Sequence, residues 1–402
     1  MRRLQAAVPW LLCAFLLVLP FTSSVALRNV TLSAAGLILA AAIVASRESW
    51  RRHLPSARVL LPIGCWFAWC AASVAWSQDP AYSAAELRPA LLPTLAAFLV
   101  FHAATGAPAT VDRWAWALAA SLGLLALAAF AQVAIRGEWD ANRWHGGVGP
   151  FSSYVVLALP MLAWLWLRSA HSPARRVALV AIALATLVVT FWTENRMVWP
   201  SLAAMALAGA WFAIRAGALG DRRRAAAIAF MVAAALCGMF VMAIQTRQES
   251  KQQPALQDDP RIAIWAHARE RMADSPWIGH GYGRGILSKE LLAADPTRNP
   301  LHWHGHNLAV NVALQTGLIG LALFVWAWAA LLREMARGLR APPPARWCAA
   351  LGITIAIGFA LKNMTDDAFV RHVALLAWAS MGALLGALRA EAPQPPRSRS
   401  PA

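Results

Sequence analysis

Residues 302 to 324 read HWHGHNLAVNVALQTGLIGLALF. Three histidines at alternate positions lead into an apolar run long enough to enter a bilayer. Runs of this kind recur along the whole chain. Twelve are read, at roughly 8–26, 29–46, 59–76, 90–105, 114–135, 152–167, 177–193, 197–214, 225–244, 307–331, 347–361 and 372–388. The 402-residue chain is 59% hydrophobic and 14% charged, whereas charged residues make up about 25% of an ordinary soluble domain. The opening stretch is therefore the mouth of one span in an all-α polytopic membrane protein with about 12 transmembrane helices.

The formal net charge is +17. Its distribution argues against a nucleic-acid partner, because the basic residues lie in short clusters between apolar runs and no basic face carries interleaved stacking aromatics. The clusters RESWRRHLPSAR, RSAHSPARR, RAGALGDRRR, REMARGLRAPPPAR and RAEAPQPPRSRS fall on one side of the alternating spans. With the N-terminus inside, 21 Lys and Arg lie inside and 15 outside, and 8 of the outside ones belong to a single long loop. Long loops do not report orientation, so the positive-inside rule puts both termini in the cytoplasm. MRR followed by an apolar run and SVA could instead be a cleaved signal peptide, which leaves the orientation of the rest unchanged. Cys13, Cys65, Cys70, Cys237 and Cys348 lie in or beside apolar runs and read as small buried hydrophobes. The 21 tryptophans gather toward the ends of the runs, as interfacial anchors do.

The chain divides into spans one to nine (1–244), a large outside loop with short helices (245–306), spans ten to twelve (307–388) and a disordered cytoplasmic tail (389–402). A loop of that length is usually functional or carries its own structure. Within it, DDPRIAIWAHARERMADSP has Asp259 as a candidate N-cap and Pro260 at the first helical position. Ile262, Trp265, Arg269 and Met272 follow at helical spacing, which predicts an amphipathic helix at or near the membrane surface. A turn, SPWIGHGYGRG, follows.

The polar residues that could carry chemistry all fall on the outside face. Arg196, in the tight turn TENRM, either serves an anionic partner or snorkels beside Glu194. Arg261 opens the loop helix, where a cation opposes the helix dipole; either an anion is bound there or the arginine is simply solvated. Arg88, at the start of the fourth span, is a weaker case of the same kind. His302, His304 and His306 could form a metal-binding strand, but no Cys, Asp or Glu stands close by to complete a set. They could equally cap the helix, or act as a general base or phosphate ligand. On a continuous helix Gly317 and Gly320 fall near the stripe of His306, because each residue turns the helix by about 100°. Small residues there would let a neighbouring helix approach and would aim the histidine. Asp366 and Asp367, in KNMTDDAFVRH, could orient a histidine or a hydroxyl, or be solvated loop acids.

Taken together, these residues resemble the O-antigen ligase family, within the wider group that includes O-antigen polymerases. The family motif is His, then Asn, Ser or Gln, nine residues, Gly, two residues and a small or polar residue. Here it reads His306-Asn307, nine residues, Gly317-Leu318-Ile319-Gly320. Arg196 is similar to the family's arginine just outside a mid-chain span, and Arg261 to its second arginine in the large loop. ADSPWIGHGYG looks like the family's P-x-x-G-x-G stretch, and RWHGGVGPFSSYVVLALP like another recurrent segment. The Ser or Thr usually beside the mid-chain arginine is here Thr193, three residues earlier.

The resemblance implies a GT-C-type integral glycosyltransferase of the bacterial inner membrane, metal-independent and without a cofactor. It would move polysaccharide from undecaprenyl pyrophosphate to a sugar hydroxyl of lipid A–core on the periplasmic face, inverting the anomeric carbon. Arg196, Arg261 and Arg88 would hold the pyrophosphate and His306 would be the base. Asn307, His304, His302, Asp366 and Asp367 would support them. An O-antigen polymerase or protein O-oligosaccharyltransferase is the nearest alternative. A transporter or flippase for a lipid-linked solute is the alternative from another class, and it would favour charges deep within spans.

Overall fold

A computed structural model describes residues 2–46, 50, 53–169, 172–217, 222–251, 260–294, 303–367, 369 and 371–389. Asp259, His302 and the tail 390–402 therefore lie outside the described residues. The chain is all-α. Its helices are α1 (Arg2–Gln5), α2 (Val8–Val18), α3 (Val25–Ser46), α4 (Ala57–Ala72), α5 (Pro80–Ala104), α6 (Pro108–Arg136), α7 (Ala141–His145) and α8 (Val148–Arg168). They continue with α9 (Pro173–Trp192), α10 (Val198–Arg215), α11 (Arg222–Lys251), α12 (Pro260–Asp274), α13 (Ser288–Ala294), α14 (Leu308–Gly338), α15 (Ala345–Lys362) and α16 (Arg371–Arg389).

Eleven of these helices are long and apolar enough to cross a membrane. The twelfth expected span differs. The run read as 8–26 forms α2, an 11-residue helix, which at about 1.5 Å per residue reaches only about half of a 30 Å hydrocarbon layer. Pro20 lies two residues beyond its end and disfavours helical geometry in the residue before it. Leu12, Phe15, Leu16 and Leu19 are nonetheless buried in the bundle. Further along, α5 begins at Pro80, where Asp79 accepts the Tyr82 N–H. Arg88 is thus two turns inside that helix rather than at its mouth, and it is exposed.

The core centres on α16, the most buried of the spans. Its Gly382 and Gly386 face the Phe98 and His102 carbonyls of α5, so the two backbones touch where a side chain would intervene. Trp66 stacks on Trp378 at 6.1 Å, and Phe67 and Phe98 meet the same indole edge-on. Trp66, Trp114, Trp199 and Trp378 are buried, as is Trp164, whose indole donates to Asp112. The first four fill the interior, unlike the interfacial role expected from their place along the runs.

α14 departs most from its pattern. Gly317 has φ 70° and ψ −176°, so the helix is broken there. A break strands carbonyls and amides that lipid cannot satisfy, and a loop supplies the partners. His280 N–H donates to Leu314 O at 2.9 Å, and Gly281 N–H to Gln315 O at 2.9 Å. The Trp69 indole donates to Thr316 O at 2.8 Å. On the far side, Leu318 N–H donates to Pro276 O at 2.8 Å and Ile319 N–H to Trp277 O at 3.2 Å. The PWIGHG segment is therefore a backbone plug for the break. Gly317 does admit a close neighbour, as small residues should, but the neighbour is the Trp277 carbonyl of this loop and not another helix. Gly317→Ala is expected to destabilise the protein by about 1–3 kcal/mol from backbone strain alone, with further loss from the displaced loop. Thermal unfolding in detergent would measure this, and an unchanged Tm would refute the plug.

The loop helix expected from Pro260 onward is present as α12. Ile264 and Ala268 are its buried positions, packed with Leu287 and Leu291 of the α13 region and Leu314 of α14, while Ile262 is exposed. Its apolar face is spent on protein.

The connections that bear polar residues touch one another and so share a face. Gln78 N–H donates to His280 O at 3.0 Å, Leu308 N–H to Asn363 O at 3.1 Å, and the Thr22 hydroxyl to Trp144 O at 3.3 Å.

Candidate active site

His306 lies on that face, one residue ahead of the helix rather than on it. Asn307 is the N-cap of α14: its side-chain oxygen accepts the Val310 N–H at 3.1 Å, and its amide donates to Met364 O at 2.8 Å. His306 has φ 46°, a left-handed conformation that is uncommon for residues other than glycine, though histidine takes it more often than most. The helical-wheel link from His306 to Gly317 and Gly320 therefore does not hold, for two reasons. The histidine precedes the helix, and the helix breaks at Gly317. Gly320 instead packs beside Trp69 of α4.

Beneath His306 lies a buried polar network with Asp367 as its anchor. Asp367 Oδ2 accepts from Arg284 Nε at 3.1 Å and also from the Asn311 side-chain amide. Two arms run from there to the histidine loop. Asn311 Oδ1 accepts the Gly305 N–H at 2.8 Å. Arg284 Nη2 reaches His304 Nε2 at 2.8 Å, and His304 Nδ1 faces the His306 N–H at 3.1 Å. The His304 and His306 rings overlap at 3.9 Å between centroids. Trp303 lies 5.0 Å from the Arg284 guanidinium, and the Trp265 indole of α12 donates to Gly305 O at 2.7 Å.

The neighbouring carboxylate has the opposite setting. Asp366 Oδ2 accepts from Lys362 Nζ at 2.6 Å and from Asn195 Nδ2 at 3.5 Å, and Gly149 at the start of α8 packs against it. Burial alone would raise its pKa. Lys362 overrides this, with help from His306 and Arg284, and lowers it to about 2. Asp367, only one residue on, is pushed above its ordinary value by burial, despite Arg284 and Asn311. Asp366 is therefore a fixed negative charge within Coulombic reach of His306.

Two segments that touch this cluster carry the two expected arginines. Arg196 sits in the 193–197 turn, next to the Asn195 that meets Asp366. Arg261 is one turn before Trp265, which holds Gly305. Both are partly exposed. Arg88 is not brought to this cluster by any contact described. Among the described residues no three His, Cys, Asp or Glu side chains converge as a metal set.

Sequence reasoning missed Arg284, Asn311, Lys362 and Asn195. Lys362 alone left a trace, as a cation ending an apolar run four residues before Asp366. The assembly offers a partly exposed imidazole and a fixed carboxylate to stabilise it when protonated, with an arginine on each of two segments that touch the cluster. That arrangement suits proton abstraction from a hydroxyl beside an anionic leaving group.

Residues 181–325 match the family described as O-Antigen ligase. The chain is 28% identical over 269 residues to an O-antigen ligase of Pseudomonas aeruginosa strain PAO1, covering 64% of this chain and 60% of that protein. The match thus spans well under two thirds of the relative's length.

Proposed function

We propose that the chain is an O-antigen ligase, a reading supported by the family match over residues 181–325 and by the 28% identical relative, and that it transfers a glycan from undecaprenyl pyrophosphate to a sugar hydroxyl of lipid A–core. The reaction takes place at the periplasmic face of the bacterial inner membrane, with both termini cytoplasmic. His306 takes the proton of the acceptor hydroxyl as that oxygen attacks the anomeric carbon. The bond from that carbon to the pyrophosphate oxygen breaks, the configuration inverts, and undecaprenyl pyrophosphate leaves with its electron pair. Arg196 and Arg261 bind the pyrophosphate and stabilise the charge it gains. Asp366 stabilises the imidazolium that forms. The single observation that supports this reading is the setting of His306: at φ 46° over a buried network and within Coulombic reach of a carboxylate kept ionised.

A transporter would need charges near the middle of its spans. Among the described residues, the buried Arg and Lys side chains within spans are Arg28, four residues into α3, and Lys362, the last residue of α15. Both lie at span ends, which favours surface chemistry.

The test is reconstitution of the purified protein with an undecaprenyl-linked glycan and lipid A–core, read as a gel shift of the acceptor. Arg196→Ala and Arg261→Ala are each expected to weaken use of the donor, raising the donor KM or lowering kcat/KM by about tenfold or more, the loss of a charge-assisted contact. If both variants kept the wild-type donor dependence, the pyrophosphate assignment would be wrong.

A further inference from the structure

A second polar cluster lies on the same face, and the reaction described above uses none of it. Arg28 is 7% exposed near the start of α3, and His372 is 2% exposed near the start of α16. Arg28 Nη1 donates to Leu19 O at 3.3 Å, a long bond that uses only one of the guanidinium's donors. Its Nε and the Nε2 of His372 are buried with no hydrogen-bond partner among the described residues. The charges that act on these two groups are of one sign. Arg28 feels Arg371, and His372 feels Arg28, His145 and Arg371. Arg371 is exposed and opens α16, where a cation opposes the helix dipole. Aromatic rings wall the cluster: Tyr154 lies 6.2 Å from the His372 ring, and Phe151 lies 5.1 Å from that of His145. The start of α8 ties it to the candidate active site, because Gly149 packs against Asp366 two residues before Phe151 meets His145.

A buried arginine without a counter-charge is costly, and within a span it points to an anionic partner. The ordinary alternative is that Arg28 caps α2, whose C-cap carbonyl it meets at Leu19. Capping accounts for that one bond, and leaves Arg371 and His372 beside it without a reason. We propose that Arg28, Arg371 and His372 form a second anion site, which takes the phosphate group of a membrane lipid. Arg28 and His372 lie near the ends of their spans, at the depth of lipid headgroups. A phosphate there supplies both the negative charge and the acceptor oxygens that the cluster lacks. The exposed Arg371 leaves the site reachable from the headgroup layer. Which leaflet it serves follows from the topology proposed above, but the site itself does not rest on the ligase reading.

The test is lipid binding to the delipidated full-length protein, read by native mass spectrometry. The probes are phosphatidic acid, diacylglycerol with the same acyl chains, and inorganic phosphate. The wild type is expected to bind phosphatidic acid more tightly than diacylglycerol by about tenfold or more, the worth of a charge-assisted contact. Arg28→Gln and Arg371→Gln should each remove about tenfold of that preference, while Arg196→Ala/Arg261→Ala keeps it. Arg371 is exposed, so its variant tests the site without disturbing the core. Relief of its repulsion with Arg28 should leave the lipid-free Tm of Arg371→Gln equal to or above that of the wild type. A wild type with no preference for phosphatidic acid overturns the proposal, and that comparison needs no variant to fold. A preference that survives unchanged in Arg371→Gln also overturns it and leaves Arg28 as a helix cap. A preference lost only in Arg196→Ala/Arg261→Ala places the lipid phosphate at the donor site and likewise overturns it. Inorganic phosphate that displaces phosphatidic acid at equal concentration makes the ligand free phosphate and overturns the lipid assignment. None of these readouts uses glycan transfer, so they stand whether or not the ligase reading does.

Discussion

His306→Ala is expected to abolish glycan transfer while the protein still inserts and folds. Loss of a positioned general base lowers rates by about 10²–10⁴-fold, which in a gel-shift assay is indistinguishable from none. Stability should change little. The His306 side chain is partly exposed at the end of the network rather than at its anchor. Asp367, Asn311 and Arg284 keep their bonds to one another in the variant. The expected result is therefore a protein with wild-type chromatographic behaviour and Tm but no acceptor shift. Near-normal ligation would remove the base role.

Lys362→Met is expected to have the largest effect on stability. Lys362 is fully buried at the end of α15, and Asp366 is its ion-pair partner at 2.6 Å. Removing one member of a buried pair leaves the other charged and uncompensated, which costs about 3–5 kcal/mol. Lys362→Met/Asp366→Asn should recover much of that loss, because no lone charge remains. The pH dependence has a definite sign. The folded pKa of Asp366 is depressed to about 2, below the ordinary aspartate value of about 3.9. Its contribution is therefore complete above that ordinary value and is lost as pH falls toward 2. In Lys362→Met this acid-sensitive part should largely vanish. Equal Tm values for wild type and Lys362→Met at neutral pH would show the pair to be dispensable.

The membrane bundle was legible because apolar length is a local property. Eleven of the twelve runs read from sequence became helices of spanning length, and the twelfth was cut short next to Pro20. The histidine motif was legible too, but its geometry was not. Helical-wheel arithmetic assumes an unbroken helix, and the glycine that seemed to continue the stripe is the residue that ends it. Of the four residues read at helical spacing on the loop helix, Trp265 and Met272 pack beside the buried seam of Ile264 and Ala268, whereas Ile262 and Arg269 are exposed. Arg284 had no local signature. Its partners His304 and Asp367 lie 20 and 83 residues away, and an arginine in a polar glycine-rich segment reads as solvated. Asp366 and Asp367 looked equivalent as neighbours in sequence. Burial with a lysine and burial with an arginine drive their proton affinities in opposite directions, and only the fold decides which acid meets which base.

The break at Gly317 also constrains the order of assembly. α14 cannot complete its own hydrogen bonding, because Leu314, Gln315, Leu318 and Ile319 depend on residues 276–281. Those residues precede the helix in the chain, so they are made first and can already be on the far side of the bilayer when α14 enters. Until they seat, the middle of the helix carries open backbone groups that hydrocarbon penalises by several kcal/mol each. Insertion of this span and closure of the loop are therefore one event. A chain in which the loop strays is left with an unsealed helix and without the Arg284 arm of the polar network.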